Sequence, residues 1–393
     1  MPQPTRPQWQ KSVLQTVAHA ERVLRGKTSL ISADPSNLRQ IRNFLVLQFE
    51  SPLGSVVHAT PLFEALKRAM PNAHITVAAS SMAASVLSHS PYIDRCVTTP
   101  NPFVSFSKAF AAVRELVRTM PPGPHCIVTT IGNQRTRLAM LSLLVDDAIR
   151  VGYTLAPEIY DCPLNFLPER GQIQGNLDIV RSIGHDVAFF EPHIFFTQHD
   201  VEHANQLLGS LSESPGTPRV AYVTQNSGGQ RNQWSANRFL QVIGLLEKTC
   251  GAVPVFVGTH QDVESIESLR HQLANPGITL AGKTTIPQLS AVLAQCDLLV
   301  SLDTGTFHVA RAVGLPGVVI APAWQSPLEW LPVDHSHYRV LRGPSIVTAP
   351  ADYCMQEVSV EQVVNASVDL LASFPATSAE RALRVQRSLC RTL

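Results

Sequence analysis

Short apolar runs alternate with stretches of helical periodicity along nearly the whole chain, and that alternation restricts the fold more than any other feature. NFLVLQF (43–49), HITVAA (74–79), a run within Pro91–Thr98 and HCIVTT (125–130) have strand length, and helical patterns over 55–70 and 106–119 stand among them. Runs this uniformly apolar, joined by helices, imply parallel strands covered on both faces. The same logic repeats downstream. RVAYVT (219–224), 253–257, 278–280, CDLLVS (296–301) and GVVI (317–320) read as strands, with helices over 237–250, 263–273, 287–294 and 306–313. Both halves are therefore expected to be α/β.

A chain of 393 residues is long enough for two such halves, each with its own core. Residues 1–40 are expected to form a helical extension, with an amphipathic helix over 8–26 built on Val13, Val17, Ala20, Val23 and Leu24. An N-terminal Rossmann-like domain is then expected over 41–195 and a C-terminal one over 196–350, with two helices in 351–393, at 358–371 and 378–389. The first boundary follows from 150–175, where Pro157, Pro163 and Pro168 interrupt any period, from a short helix at 175–183, and from an apparent fresh strand at 193–196.

Composition narrows the partners. With 31 Lys and Arg against 30 Asp and Glu the formal charge is +1, so no global field draws the molecule to nucleic acid or to an anionic membrane. The charged fraction of 16% fits sheets buried on both faces, or an apolar surface that serves a partner or a lipid-linked substrate. The seven cysteines are scattered without a C-x-x-C pair or a ligand-like spacing, so neither a disulfide framework nor a metal is expected. No secretory pattern opens the chain and no run of about 18 apolar residues occurs, so no transmembrane segment and a cytoplasmic location are expected.

The most informative stretch is LVSLDTGTFHVARAVGLPGVVIAP (299–322), where a buried strand delivers Asp303-Thr304-Gly305 to the start of a helix. Backbone N–H groups there lack partners, which makes an anion site. Gly305 permits close approach, Thr304 adds a hydroxyl donor, and His308 lies on the first turn. Asp303 or Thr304 could instead simply cap the helix. A second strand–loop–helix junction, Phe49 to Ser55, contains Gly54. A third, Thr224 to Trp234, supplies Asn226 and Arg231, the latter suited to phosphate or alternatively a solvated surface group. Trp234 is expected to pack at a helix start.

In four places, FLVLQFESPLGSVVHATPLFEALKRAMPNAHITVAAS, the loop into WSANRFLQVIGLLE, SLDTGTFHVARAVGLPGVVIAPAW and CMQEVSVEQVV, the chain resembles glycosyltransferase family 9, the ADP-heptose:lipopolysaccharide heptosyltransferases. The resemblance spans about residues 43–370 and implies a GT-B fold, an α/β pair of Rossmann-like domains whose parallel sheets face a central cleft. It implies metal-independent, inverting transfer with no cofactor. The partners it implies are a nucleotide sugar, such as ADP-heptose, held by the C-terminal half, and a saccharide or glycolipid acceptor held by the N-terminal half. Any membrane contact would come through the acceptor. Thr304, Gly305, Thr306 and His308 would then cradle the diphosphate.

Two departures accompany the resemblance. The family's loop reads Gly-Asp, its Asp serving as base, where this chain has Gly54-Ser55; Asn232 stands where the family often carries Lys, with Arg231 beside it. Glu50, His58 and Asp94 are the groups that could replace the missing base, each with a structural alternative. Three functions stay open: a glycosyltransferase, a protein that binds nucleotide sugar or glycan without turnover, and a nucleotide-sugar epimerase. A dinucleotide-dependent dehydrogenase is disfavoured because neither half shows G-x-G-x-x-G followed by an acid about 20 residues on.

Overall fold

The computed structural model describes residues 15–16, 41–49, 52–145, 148–209, 211, 216–226 and 232–390. The helix expected over 8–26 lies outside these residues except for Gln15 and Thr16, which are helical. The chain forms two compact units, Met1–Leu167 with Gln172–Glu191, and Pro168–Gly171 with Pro192–Leu393.

The first unit runs β1 Asn43–Gln48, α1 Leu53–Ala69, β2 His74–Ala79, α2 Ser81–Leu87, β3 Arg95–Thr98, α3 Phe106–Arg118, β4 His125–Thr129, α4 Thr136–Ser142, β5 Ile149–Tyr153, β6 Cys162–Leu164 and α5 Gln172–Ser182. Its strands pair in parallel in the order β3-β2-β1-β4-β5-β6. Every residue of β1 is buried, as a central parallel strand under helices must be. Helix α1 carries Pro61 in its interior, which removes one ladder donor and frees the carbonyl of Val57. The Thr60 hydroxyl donates to that carbonyl at 2.7 Å, so the helix continues through the proline.

The second unit runs α6 Gln198–Leu208, β7 Arg219–Val223, α7 Ala236–Cys250, β8 Val253–Phe256, α8 Val263–Arg270, β9 Ile278–Thr279, α9 Ile286–Ala294, β10 Leu298–Leu302, α10 Gly305–Ala312, β11 Gly317–Ile320, α11 Pro327–Trp330, β12 Tyr338–Leu341, α12 Val360–Ser373 and α13 Ser378–Ser388. Its order, β12-β11-β10-β7-β8-β9, repeats that of the first sheet, again all parallel. Helices α7 and α12 close one face through Phe239, Val242, Ile243, Leu246, Val363 and Leu370. At the amino end of the sheet, Asp297 accepts from the Arg219 amide at 2.8 Å and from Arg381 Nε of α13 at 2.9 Å, so the last helix is fastened to two central strands.

Three sequence readings need correction. The aperiodic 150–175 stretch contains most of β5 and all of β6; the prolines lie outside β5, and the short edge strand β6 tolerates Pro163. Residues 193–196 are no sheet strand: Phe196 makes a single parallel bridge to Leu389, donating to Ser388 O at 3.0 Å and accepting from Cys390 N at 2.8 Å. Helix α6 and strand β12 were not anticipated at all, because one is largely polar and the other is four residues long.

Gly152 on β5 adopts φ +123°, and a Cβ placed there would lie 2.2 Å from the Thr129 carbonyl oxygen of β4. Gly152→Ala is expected to destabilise the first unit by about 3 kcal/mol or more, since both backbone strain and a clash with rigid main chain are imposed. Urea unfolding followed by far-ultraviolet circular dichroism measures it; an unchanged midpoint would contradict the account.

Candidate active site

In both units the strand order turns back beside the first strand, so neighbouring crossovers leave in opposite directions and their loops part at the carboxyl edge of the sheet. In the second unit these are the loops after β7 and after β10. The second begins at Asp303, whose main chain is held on both sides: its N–H donates to Ile320 O at 3.2 Å and its carbonyl accepts from Asn232 Nδ2 at 2.8 Å. Asn226 Nδ2 donates to Asn232 Oδ1 at 2.7 Å, so two amides of the β7 loop clamp the β10 loop in place.

What that clamp presents is an open helix end. Helices α6, α7, α9, α12 and α13 each carry a Ser or Thr N-cap whose hydroxyl accepts the amide three positions on, and in α6, α9 and α12 the residue there reaches back to complete a capping box. At α10 the N-cap residue Thr304 makes no such bond, and its hydroxyl is buried with no partner. The bland reading, that Asp303 or Thr304 serves only to cap the helix, does not describe this end. The first-turn amides at Gly305 and Thr306 remain free of side-chain acceptors. Thr224, where the chain leaves β7, adds a second buried and unpartnered hydroxyl. Unmet donors of this kind are expensive to keep in a folded protein unless a ligand meets them.

The titratable groups beside this end are set by burial. Asp303, whose side chain is 11% exposed, has its carboxyl pushed up to about 6 by desolvation. His308, 4% exposed and tilted against Trp330 at 6.0 Å, is pushed down to about 3, first by desolvation and then by the nearby Arg311 charge. The two approach to 3.9 Å, yet both shifts oppose an ion pair, so burial outweighs their attraction. His308 is therefore a neutral ring near pH 7. It can donate an N–H but brings no positive charge to this helix end.

Thr306, in the first turn of α10, is half-buried. Trp234 is core, 4% exposed, edge-on to Phe239 at 4.9 Å and donating Nε1–H to Val358 O at 3.0 Å. Arg231 and Glu50 lie outside the described residues.

In the first unit, Gly54 and Ser55 lie in the first turn of α1, whose N-cap is Pro52 and which also has no side-chain cap. Ser55 is 3% and His58 1% exposed. A buried polar network, absent from the sequence reading, stands at the crossover between β1 and β4. Asn133 Oδ1 accepts the Phe49 amide at 2.9 Å, Asn133 Nδ2 donates to Thr130 Oγ1 at 3.1 Å, and that hydroxyl donates to Gln48 Oε1 at 2.6 Å. Asp94 is elsewhere, at the amino edge, where it pairs with Lys67 at 2.7 Å and accepts the Ile75 amide at 2.7 Å. It is a clip between β2 and α1, not a neighbour of Ser55.

Asp303 and His308 give opposite pH signatures. The folded state holds a proton on Asp303 between pH 3.8 and about 6 that the unfolded chain has lost, so this residue lowers stability as pH rises through that window. His308, by contrast, lowers stability as pH falls from 6.5 towards about 3. Asp303→Asn should stabilise the protein by about 1–3 kcal/mol at pH 7.5, the gain vanishing near pH 4. His308→Gln should make it relatively more stable as pH falls below 6. Denaturant titrations between pH 4.5 and 8 check both; parallel profiles for wild type and variants would contradict the assignment.

Residues 196–341 match the family model described as glycosyltransferase family 9 (heptosyltransferase). A lipopolysaccharide heptosyltransferase 3 of Escherichia coli is 21% identical over 272 residues, covering 67% of this chain and 78% of that protein. Among solved structures, a family 9 glycosyltransferase from Veillonella parvula superposes with a TM-score of 0.75 at 21% identity, covering 84% of this chain and 98% of that one. The E. coli ADP-heptose lipopolysaccharide heptosyltransferase II gives 0.68 at 18% identity over 84% of this chain and 99% of its own. These neighbours share the GT-B fold of paired α/β units. The glycosyltransferase family 9 model thus lies over the strands and helix that build the open end of α10.

Proposed function

We propose that the protein is an inverting glycosyltransferase that moves a sugar, heptose from ADP-heptose, onto a lipopolysaccharide-core or other glycan acceptor. The observation that carries this reading is the uncapped N-terminus of α10 with the buried, unpartnered hydroxyl of Thr304 beside it. A diphosphate supplies the acceptors these donors lack. An E. coli heptosyltransferase solved with ADP, similar in fold at a TM-score of 0.61, supports the choice of nucleotide.

In the proposed reaction an acceptor hydroxyl oxygen attacks the anomeric carbon, the bond from that carbon to the diphosphate oxygen breaks, and the hydroxyl proton passes to a base. Charge grows on the leaving diphosphate, where preorganised N–H and O–H donors stabilise it without having to reorient. Thr304, Gly305 and Thr306 take that role, with His308 as a neutral donor and Arg231 as the cation. Asn226 and Asn232 hold the loop. Glu50 is proposed as the base, because His58 and Ser55 are buried in α1. A cytoplasmic setting belongs to the same proposal and is supported by seven unpaired cysteines.

Calorimetric titration with ADP tests the reading. Binding is expected, and Thr304→Val should weaken it by about 10- to 100-fold, the loss of one bond to a charged group. No binding of ADP or of any sugar nucleotide would overturn it. Ser55, in place of the family's Asp, favours a second reading in which nucleotide sugar is bound without turnover. Glu50→Gln separates the two: loss of about 10²- to 10⁴-fold in kcat with ADP affinity unchanged supports transfer. Binding without measurable transfer in the wild type supports the second reading.

A further inference from the structure

The second unit holds a cavity of about 500 Å³ that the proposed transfer does not use. It lies at the amino edge of the sheet, where Arg219 opens β7 and Gln295 closes α9, between helices α6 and α13. Strand β7 is five residues long, so this edge stands roughly 17 Å from the carboxyl edge where the uncapped end of α10 begins.

Its charge is set by a cluster around Asp297, whose side chain is 2% exposed. Arg381, which lines the cavity, gives that carboxylate Nε at 2.9 Å and Nη2 at 2.5 Å, and Nη2 also donates to Thr217 O at 3.0 Å. Its Nη1 has no partner among the described residues. Arg384 approaches the same carboxylate at 3.9 Å while donating to Ala294 O at 3.1 Å and to Cys296 O. Arg219, buried and also lining the cavity, shares this neighbourhood. Desolvation pushes the Cys296 thiol up to about 12, Asp297 raises it further, and Arg219, Arg384 and Arg381 each act to lower it. Three guanidiniums thus gather about one buried carboxylate, and Glu380, the other acid that acts on Arg384, is exposed. A cationic surplus held out of water is costly, and a bound anion offsets it.

The rest of the wall suits a polyol. Gln295 keeps Nε2 buried without an acceptor among the described residues, a condition that is rare unless something meets the donor. The Thr377 hydroxyl accepts the Glu380 amide at 3.2 Å and still has its own proton to give, and Ser378 beside it adds a second hydroxyl. Val201, Ala382 and Val385 supply an apolar patch for the C–H face of a ring. We infer that this cavity binds a sugar phosphate, with the phosphate between Arg219 and Arg381 and the ring hydroxyls at Gln295, Thr377 and Ser378. Arginine forks match phosphate oxygens in pairs, while carboxamides and hydroxyls match a sugar's mixed donors and acceptors. The site is separate from the open end of α10 and stands whether or not the transferase reading holds.

Titration of the full chain with glucose 6-phosphate, mannose 1-phosphate and ribose 5-phosphate, followed by calorimetry, is the test. At least one is expected to bind, about tenfold or more tighter than inorganic phosphate, with glucose giving no heat. Saturating ADP should leave that affinity unchanged. Ser378→Asp sets a carboxylate at the cavity while favouring the first turn of α13, so the variant should stay folded and bind about tenfold more weakly. Gln295→Leu removes the unmet donor; it should keep or raise the melting temperature and also weaken binding about tenfold. Binding by none of the three, or binding no tighter than that of inorganic phosphate, would overturn the inference. So would binding that ADP displaces, which belongs to the open end of α10, or binding that neither variant weakens. Failure of ADP itself to bind would bear on the transferase reading alone.

Discussion

Parallel strand order that reverses beside its first strand leaves a parting between two loops, and nothing inside either sheet fills it. The rest of the molecule follows from how that parting is treated. In the second unit it is kept open: Asn226 and Asn232 fix Asp303 from behind, and the helix beyond it begins without a cap. In the first unit Gln48, Thr130 and Asn133 bond to one another and to the Phe49 amide beside it. The same topology thus yields one loop held by two amides ahead of an uncapped helix and another held by a network of buried side chains.

Burial at the open end governs its charge. A carboxyl and an imidazole 3.9 Å apart would ordinarily ionise together, but each is shifted towards its neutral form. Among the described residues, the donors at this end are then mainly dipoles, main-chain N–H groups and a hydroxyl. Such donors stay aligned whether or not the ligand is present, and a low-dielectric surrounding strengthens their effect on it.

The sequence made the alternation of strands and helices visible because a parallel strand buried on both faces is almost unbroken in apolar residues, as in β1, β10 and β11. It concealed elements whose pattern is diluted. Strand β5 includes Arg150, which is 2% exposed and donates to the Ser142 carbonyl at 3.3 Å; an arginine in a strand reads as surface until its partners are seen. The strand-to-helix junction at Thr304, Gly305 and Thr306 was legible because a strand end, a small residue and a helix start come in fixed succession. Thr224 and Asn133 were not, since a polar residue after an apolar run is equally common in an ordinary loop. Asp94 was misplaced for a different reason: nearness in sequence to a strand says nothing about which edge of the sheet a side chain occupies, and Asp94 precedes β3 where Ser55 follows β1.

Helix α1 passes through Pro61 intact because the Thr60 hydroxyl takes over the carbonyl that the proline abandons. The two positions are coupled in energy as well as in space. A lineage that loses the threonine while keeping the proline leaves an acceptor stranded in the core, whereas one that loses the proline first frees the threonine to drift. The less costly order of substitution in this helix is therefore proline before threonine, set by a single oxygen atom.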